Sequence, residues 1–221
     1  MLNWDGWGVA QNSERALHLL QTAAEAGHRT AQHNLGVAYD NGYELAKSHC
    51  QAFHYFSQAA RQGCKDSMHS IGSFYNWGEG VAQDHAKARY WYRKSAQLGH
   101  VDSMCDLARC YQRGVGVRKN QRQALRWFTK AVECGSIRAM TWLGFEYTTK
   151  PTEDWATARH WLEQAAEHHQ SHAMYLLGIW AAEGWTDNEN MADALFWFKN
   201  AAQAGHNRAA LRAAELQDES F

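Results

Sequence analysis

A motif that recurs about every 36 residues constrains this chain more than any other feature. Five of the six copies end in a glycine, and the first four of these closing glycines are 36 residues apart. The members of the series are Gly27, Gly63, Gly99, Gly135, His169 and Gly205. His169 takes the glycine position in a copy that is two residues shorter than the others. A fixed period between about 20 and 50 residues is typical of solenoids, in which one structural unit stacks on the next.

Each copy contains two stretches with the hydrophobic period of an α-helix. In the central copy, the first stretch places apolar or small residues on one helical face: Ser67, Ile71, Phe74 and Tyr75. The second stretch combines large rings with small residues: Ala88, Trp91, Tyr92, Ser95 and Ala96. Spacings of three and four residues line one side of a helix. The sequence therefore predicts two helices per copy, joined by a glycine-containing turn.

An independent signal marks the start of each second helix. Four residues before its first alanine, every copy has a side chain that can accept a hydrogen bond from a backbone N–H: Asn12, Ser48, Asp84, Asn120, Asp154 and Asn190. Such residues are preferred as helix N-caps. The same alignment places the two-residue deletion of the fourth full copy in its turn, at 150–152, where deletions are tolerated.

A tryptophan recurs in the second predicted helix of most copies. Its positions are Trp91, Trp127, Trp161 and Trp197. Small residues on the same face let neighbouring helices approach while the ring fills the gap between them. We therefore expect these tryptophans to form the core, and replacement of Trp127 by alanine to cost roughly 3–5 kcal/mol of stability.

The consensus of the copies is A-x-x-x-L-G-x-x-Y-x-x-G-x-G-V-x-x-D-x-x-x-A-x-x-W-x-x-x-A-A-x-x-G, and the first and fifth full copies depart from it at the G-x-G-V turn. This pattern resembles the Sel1-like repeat, a longer relative of the tetratricopeptide repeat. The resemblance implies an all-α fold, a right-handed superhelical α-solenoid of antiparallel helix pairs, in a single domain spanning 1–221. The expected parts are a partial repeat at 1–28, five repeats at 29–64, 65–100, 101–136, 137–170 and 171–206, and a C-terminal capping helix at 207–217.

The resemblance also implies where a partner would bind. In tetratricopeptide arrays the first helices of the pairs line a concave groove that holds a protein or peptide. Transferred by register, the candidate groove residues are His33, Asp40, His69, Ser73, Asn76, Trp77, Arg109, Gln112, Arg113, Phe145 and Tyr175.

The middle of this set has the chemistry of an interface. Arg109 and Arg113 lie one helical turn apart, and a guanidinium group suits a carboxylate. Trp77 offers a flat apolar surface, and tryptophan and arginine are favoured interface anchors. We expect a partner segment that carries an acidic group. The alternative is that the arginines form a solvated face and pair with Asp102 or Asp106.

Composition excludes several other functions. With a net charge of −1, the chain lacks the basic excess of a nucleic-acid-binding protein. No apolar run reaches the ~18 residues that a membrane-spanning helix needs. The five cysteines occupy different places in the repeat. Some secreted Sel1-like proteins carry one disulfide per repeat, and the corresponding positions here, such as Ala24 and Ala96, are not cysteine, so we expect reduced thiols and a cytoplasmic location. A periplasmic location stays open if a signal peptide preceded the chain.

No motif for catalysis or cofactor binding is visible. The sequence contains no G-x-S-x-G, H-E-x-x-H or P-loop pattern. The densest histidine group, His168, His169 and His172, straddles a turn between repeats, where a shared metal is not expected. We therefore expect a non-enzymatic protein without cofactor or metal, either monomeric or a weak homo-oligomer.

The favoured interpretation is a bacterial adaptor that holds another protein. The first alternative is an immunity protein that neutralises a toxin, a role known among Sel1-like proteins. An enzyme such as a hydrolase is the alternative from a different class. Sequence alone does not choose the partner.

Overall fold

A computed structural model describes residues 13–148, 154–185 and 190–218. In these ranges the chain forms twelve α-helices and no strand, which confirms the predicted all-α class. The predictions for residues 1–12, including the cap Asn12, and for the deletion at 150–152 lie outside the described residues. The chain divides into two compact units, Met1–Lys119 and Asn120–Phe221.

The first unit contains six helices. They are α1 (Ser13–Glu25), α2 (Arg29–Asn41), α3 (His49–Arg61), α4 (Lys65–Trp77), α5 (His85–Gln97) and α6 (Val101–Arg113). In the two repeats that lie wholly within this unit the first helix packs on the second, α2 on α3 and α4 on α5. Second helices also pack on the first helix of the next repeat, so the unit is a continuous stack.

The second unit contains the other six described helices. They are α7 (Gln121–Glu133), α8 (Ile137–Tyr147), α9 (Trp155–Glu167), α10 (Ser171–Ala182), α11 (Met191–Gln203) and α12 (Asn207–Asp218). The pairs α8–α9 and α10–α11 follow the repeat. α12 packs on α11 and adds Ala209 and Ala213 to the core of this unit.

The predicted N-caps are formed at the second helices. Ser48, Asp84, Asn120, Asp154 and Asn190 each precede a second helix, and each side chain accepts a hydrogen bond from the backbone N–H three residues later. These bonds satisfy backbone donors that have no partner within the helix. The five described caps confirm the register on which the rest of the repeat alignment depends.

In three repeats an aromatic ring packs directly on the backbone of a glycine in the paired helix, and in the shortened copy Leu162 takes the place of the ring, against Gly144. Gly178 of α10 leaves room for Phe198 of α11, and a Cβ at the glycine would lie 2.7 Å from the ring. Gly36 and Phe56 repeat this arrangement at 2.7 Å, and Gly72 and Tyr92 at 2.6 Å. Real Cβ atoms do not approach ring carbons so closely. The glycine of the L-G step in the repeat pattern therefore leaves room for the ring of the paired helix.

The ring in this core is not the predicted tryptophan. Phe128 is fully buried (0% exposed), whereas Trp127, one residue earlier, is only half-buried. In the other copies too, the tryptophan is half-buried and the following residue is buried. Successive helical residues point about 100° apart, so only one of two adjacent large side chains faces the paired helix. The expectation that Trp127 is a core ring is therefore corrected: the tryptophans at this repeat position are half-buried, and Trp91 and Trp197 pack against the edge of the core. The stability cost of replacing Trp127 stays a prediction.

The turns between repeats use the left-handed backbone conformation. The closing glycines have φ angles from 79° to 89°, and a Cβ added to any of them would meet nothing within 4 Å, so backbone conformation alone favours glycine there. His169 adopts the same conformation, with φ 58°. A left-handed conformation costs a residue with a Cβ on the order of 1 kcal/mol.

Replacing His169 by glycine is expected to stabilise the protein. Glycine adopts the left-handed conformation without steric strain, which stabilises the folded state. Its larger chain entropy in the unfolded state offsets part of this gain, so the free energy of unfolding should rise by about 0.5–1 kcal/mol. Chemical denaturation measures the change. The reverse substitution, Gly135→Ala, should destabilise by a similar amount, and an unchanged stability in both variants would contradict this explanation.

Candidate functional site

Five of the predicted groove residues line one pocket in the first unit. The pocket has a volume of about 150 Å³ and lies among α4, α5 and α6. The predicted residues in its wall are Ser73, Asn76, Trp77, Arg109 and Arg113. The repeat register brings them together because they stand at matching places in two successive first helices.

One carboxylate organises the polar side of the pocket. Asp106 Oδ2 lies 3.0 Å from His69 Nε2 on α4, and its Oδ1 lies 3.6 Å from a guanidinium nitrogen of Arg109 on the same helix as Asp106. Asp106 therefore ties two neighbouring first helices together. It also offsets part of the positive charge of Arg109, as the alternative interpretation of this arginine expected.

The back of the pocket is buried and chemically unreactive. The hydroxyl groups of Tyr92 and Ser73 lie 3.3 Å apart. Burial raises the pKa of Tyr92 well above its usual range, and burial also raises the pKa of Cys110 to about 11. Both groups are therefore protonated at neutral pH, and the Cys110 thiol is not the activated thiolate that nucleophilic catalysis requires.

The mouth of the pocket is open to solvent. Trp77 is the last residue of α4 and is 70% exposed, more than any other large hydrophobic residue in the described ranges. Arg113 ends α6, is also exposed, and makes no ion pair with another described residue. The rim of the pocket thus combines the exposed apolar indole of Trp77 with the cationic side chain of Arg113.

Asn76 is the remaining polar residue of the wall. Its side-chain oxygen lies 3.3 Å from His85 Nδ1, and its backbone carbonyl accepts a 2.8 Å hydrogen bond from Gln83. Asp40 stands one repeat earlier at the same place and contacts His49 Nδ1 at 3.0 Å. This position therefore connects the end of a first helix to the start of the second in both repeats.

The other predicted residues of the first unit lie outside this pocket. His33 Nδ1 is joined to Ser67 Oγ by a 2.9 Å hydrogen bond between successive first helices. Burial lowers the pKa of His33, and the nearby Asp66 opposes this shift. Gln112 is half-buried in α6. A role of His33, Asp40, His69 or Gln112 in partner binding stays a prediction.

The two predicted residues of the second unit lie on different helices. Phe145 is an exposed residue of α8. Tyr175 of α10 stacks on His206 with ring centroids 4.2 Å apart, and it also contacts Phe198. In the first unit His69 stacks on His100 in the same repeat positions, at 4.7 Å. This stack is a repeated packing element, so we keep Tyr175 only as a prediction.

Histidines follow three of the closing glycines, at His28, His100 and His206, and two of them cap the next helix, whereas His28 makes no side-chain cap. His100 Nδ1 accepts a hydrogen bond from the backbone N–H of Ser103, at 3.1 Å, and His206 Nδ1 accepts one from Ala209, at 3.3 Å. They therefore cap α6 and α12. Burial is the main cause that lowers the pKa of both histidines, which favours the neutral ring that such a cap requires.

Four residues of the pocket wall were not predicted from the sequence. They are Tyr92, Asp106, Cys110 and Val115. Tyr92 could have been found, because it follows the tryptophan and stands 20 residues after the glycine on which its ring packs. Nothing in the sequence indicates that Asp106 contacts His69, since these residues lie in different repeats.

Metal-type clusters, disulfides and membrane-spanning helices are absent from the part of the chain that the structure describes. Among them, no group of three or more His, Cys, Asp or Glu side chains is arranged to hold a metal ion. The five cysteines, all within the described ranges, are free thiols. None of the described helices combines the length and apolar character needed to cross a membrane.

Comparison with known protein families identifies the repeat. A family model described as Sel1 repeat matches residues 1–28, 30–64, 65–100, 101–136, 151–169 and 171–206. The matches cover well over half of the chain. The fifth is confined to the second half of the shortened copy. A search among curated proteins found no match.

Two solved structures share the fold over most of this chain. One is c5321, a protective antigen of uropathogenic Escherichia coli with an SLR fold, which is 31% identical with a TM-score of 0.83. The match covers 98% of this chain and 47% of that one, so the chain spans about half the length of c5321. The other is a Sel1 repeat protein from Oxalobacter formigenes, 27% identical with a TM-score of 0.81, covering 89% of this chain and 79% of that one. These matches confirm the predicted solenoid class.

A more distant match is an immunity protein from Pseudomonas aeruginosa. It is 22% identical with a TM-score of 0.55, and the match covers 82% of this chain and 68% of that one. At this identity the likeness shows a shared fold alone.

Proposed function

The chain belongs to the Sel1 repeat family, whose solenoid is a protein-interaction fold, and from this premise we propose that it is an adaptor that binds a protein or peptide segment at the pocket of α4, α5 and α6. The proposed contact residues are those of the pocket wall and rim. The proposal assigns no chemical step to the protein.

The exposure of Trp77 is the observation that carries this proposal. An indole that is 70% exposed leaves a large apolar surface in water, although its burial by a partner would be favourable. Tryptophan is also enriched among the residues that dominate binding energy at protein interfaces. The neighbouring pocket of about 150 Å³ offers space for one partner side chain beside the indole.

The charge at the rim indicates which partner segment fits. Arg113 is exposed and makes no ion pair with the described residues, while Arg109 already pairs with Asp106. A guanidinium group binds a carboxylate through two parallel hydrogen bonds. We therefore propose that the bound segment places an apolar side chain on Trp77 and an aspartate or glutamate near Arg113.

Trp77→Ala and Arg113→Glu are expected to weaken partner binding. The partner is first purified from the source cells with the wild-type chain, and its affinity for each variant is then measured by calorimetry. We expect each change to weaken binding at least about tenfold, because one removes the apolar anchor and the other places like charges together. Arg109 is left unchanged, since its replacement would also disturb Asp106.

The second helix of the same repeat provides matched controls. Tyr90→Ala removes an exposed ring of α5, and Arg93→Glu reverses an exposed charge there, both outside the pocket. These variants should keep wild-type affinity. Thermal unfolding of every variant shows whether a loss reflects the surface or the fold, which matters because Arg113 also suits the C-terminus of α6. If the pocket variants bind like wild type, or the controls lose as much affinity, the proposed site is wrong.

The alternative function is inhibition of a toxin. The match with an immunity protein shows a shared fold alone, and an experiment separates toxin inhibition from adaptor binding. An immunity protein would bind one toxic enzyme in a stoichiometric complex and abolish its activity. An adaptor would bind its partner and leave any activity of that partner intact.

A further inference from the structure

The second unit contains a larger cleft on the side of its second helices. This cleft has a volume of about 780 Å³ and lies among α9, α10 and α11. Trp197, Met174, Ala166 and Ala204 contribute its apolar surface. A cleft of this volume falls within the range of about 300–1,000 Å³ that is typical of ligand sites. None of the predicted groove residues lines it.

Two glutamates of α9 are the acidic residues of the cleft, whose wall also includes His169. Glu163 pairs with Arg159 one turn earlier on α9, at 2.7 Å. Glu167 accepts a 3.1 Å hydrogen bond from Gln164 and makes no ion pair with another described residue. Lys199, the only cation of α11, does not line the cleft. The carboxylate of Glu167 is thus available beside the apolar surface.

Comparison between repeats indicates that stacking does not require these acidic residues. The repeat positions of Glu163 and Glu167 are occupied in α5 by Arg93 and Gln97. Both helices form the same packed pairs, although the charge at these positions differs. The acidic residues of α9 are therefore specific to this repeat and are not needed for packing. They can contribute to the binding of a partner.

We propose that this cleft is a second binding site, which takes a partner segment with an arginine or lysine next to a large apolar side chain. The apolar side chain lies against Trp197 and Met174, and the cation pairs with Glu167. Charge complementarity and the apolar surface select this chemistry together. The site lies in a different unit from the Trp77 pocket and does not depend on the function proposed for that pocket.

Titration with short capped dipeptides tests this site directly. The probe is N-acetyl-phenylalanyl-arginine amide, and the signal is the indole N–H of Trp197 in a ¹H–¹⁵N spectrum, assigned by its loss in Trp197→Phe. We expect a saturable shift with a dissociation constant on the order of millimolar, as befits so small a ligand. N-acetyl-phenylalanyl-glutamate amide reverses the charge, and N-acetyl-glycyl-arginine amide removes the apolar group. Both should bind markedly more weakly.

Variants of two equivalent glutamates separate the site from a general charge effect. Glu167→Gln should weaken binding of the arginine probe by about threefold to tenfold, since it removes the paired charge and leaves the shape almost unchanged. Glu133→Gln changes the exposed glutamate at the same position one repeat earlier, outside the cleft, and should have no effect. The proposal is overturned if the Trp197 signal does not saturate, if the glutamate probe binds equally well, or if Glu167→Gln binds like wild type.

Discussion

Replacing Phe198 by alanine is expected to lower the free energy of unfolding by about 3–5 kcal/mol. The ring is 2% exposed and packs on the backbone of Gly178, so its removal loses apolar burial and leaves a cavity in the core of the second unit. Urea denaturation monitored by circular dichroism measures this change, with equal m-values required for the comparison.

The adjacent tryptophan is the matched control for this prediction. Trp197 lies in the same helix but is only half-buried, so Trp197→Ala should cost roughly half as much, about 1.5–2.5 kcal/mol. Equal losses in the two variants would show that the tryptophan is a core residue after all. A smaller loss for Phe198→Ala than for Trp197→Ala would contradict the observed packing outright.

Replacing Gly178 by alanine is expected to destabilise the protein by about 1–3 kcal/mol, although alanine is intrinsically the better helix former. The added Cβ would lie 2.7 Å from two ring atoms of Phe198, and the ring is held between helices and has little room to move. The destabilisation would therefore come from overpacking. The same denaturation experiment measures it.

A double-mutant cycle isolates this contact. In a Phe198→Ala background the space above Gly178 is empty, so Gly178→Ala should cost little or even stabilise through its helix propensity. The matched control is Gly135→Ala, which acts through backbone conformation and should have the same effect in both backgrounds. Additive losses for Gly178→Ala and Phe198→Ala would mean that the glycine is not there to accommodate the ring.

The regularity of the repeat made most of the fold predictable. Because every copy repeats the same local signals, errors in one copy are corrected by the others. The caps Ser48, Asp84 and Asn190 were found in this way, as was the equivalence of His169 with the closing glycines. Sequence reasoning failed where two adjacent large residues compete for one buried position, as in Trp127 and Phe128, since the helical period alone does not decide between neighbours.

The candidate site was predictable only in part, for a related reason. Register places Ser73, Trp77 and Arg113 on one face, and the structure brings them to one pocket. The repeat register does not reveal which polar side chains already form hydrogen bonds or ion pairs with neighbouring helices. The contacts of His69 with Asp106 and of Asp40 with His49 depend on side-chain reach between helices, which no periodic pattern encodes.

Photo-cross-linking at position 77 tests the central claim most directly. A photoreactive phenylalanine analogue replaces Trp77 in one variant and Tyr90 in a second, and both are irradiated in the source cells. If the pocket of α4, α5 and α6 is the protein-binding site, position 77 forms a discrete adduct with a partner protein that Arg113→Glu abolishes, and position 90 forms none. An adduct at position 90 with the same partner, or none at position 77 while that partner still co-purifies with the chain, would contradict the account.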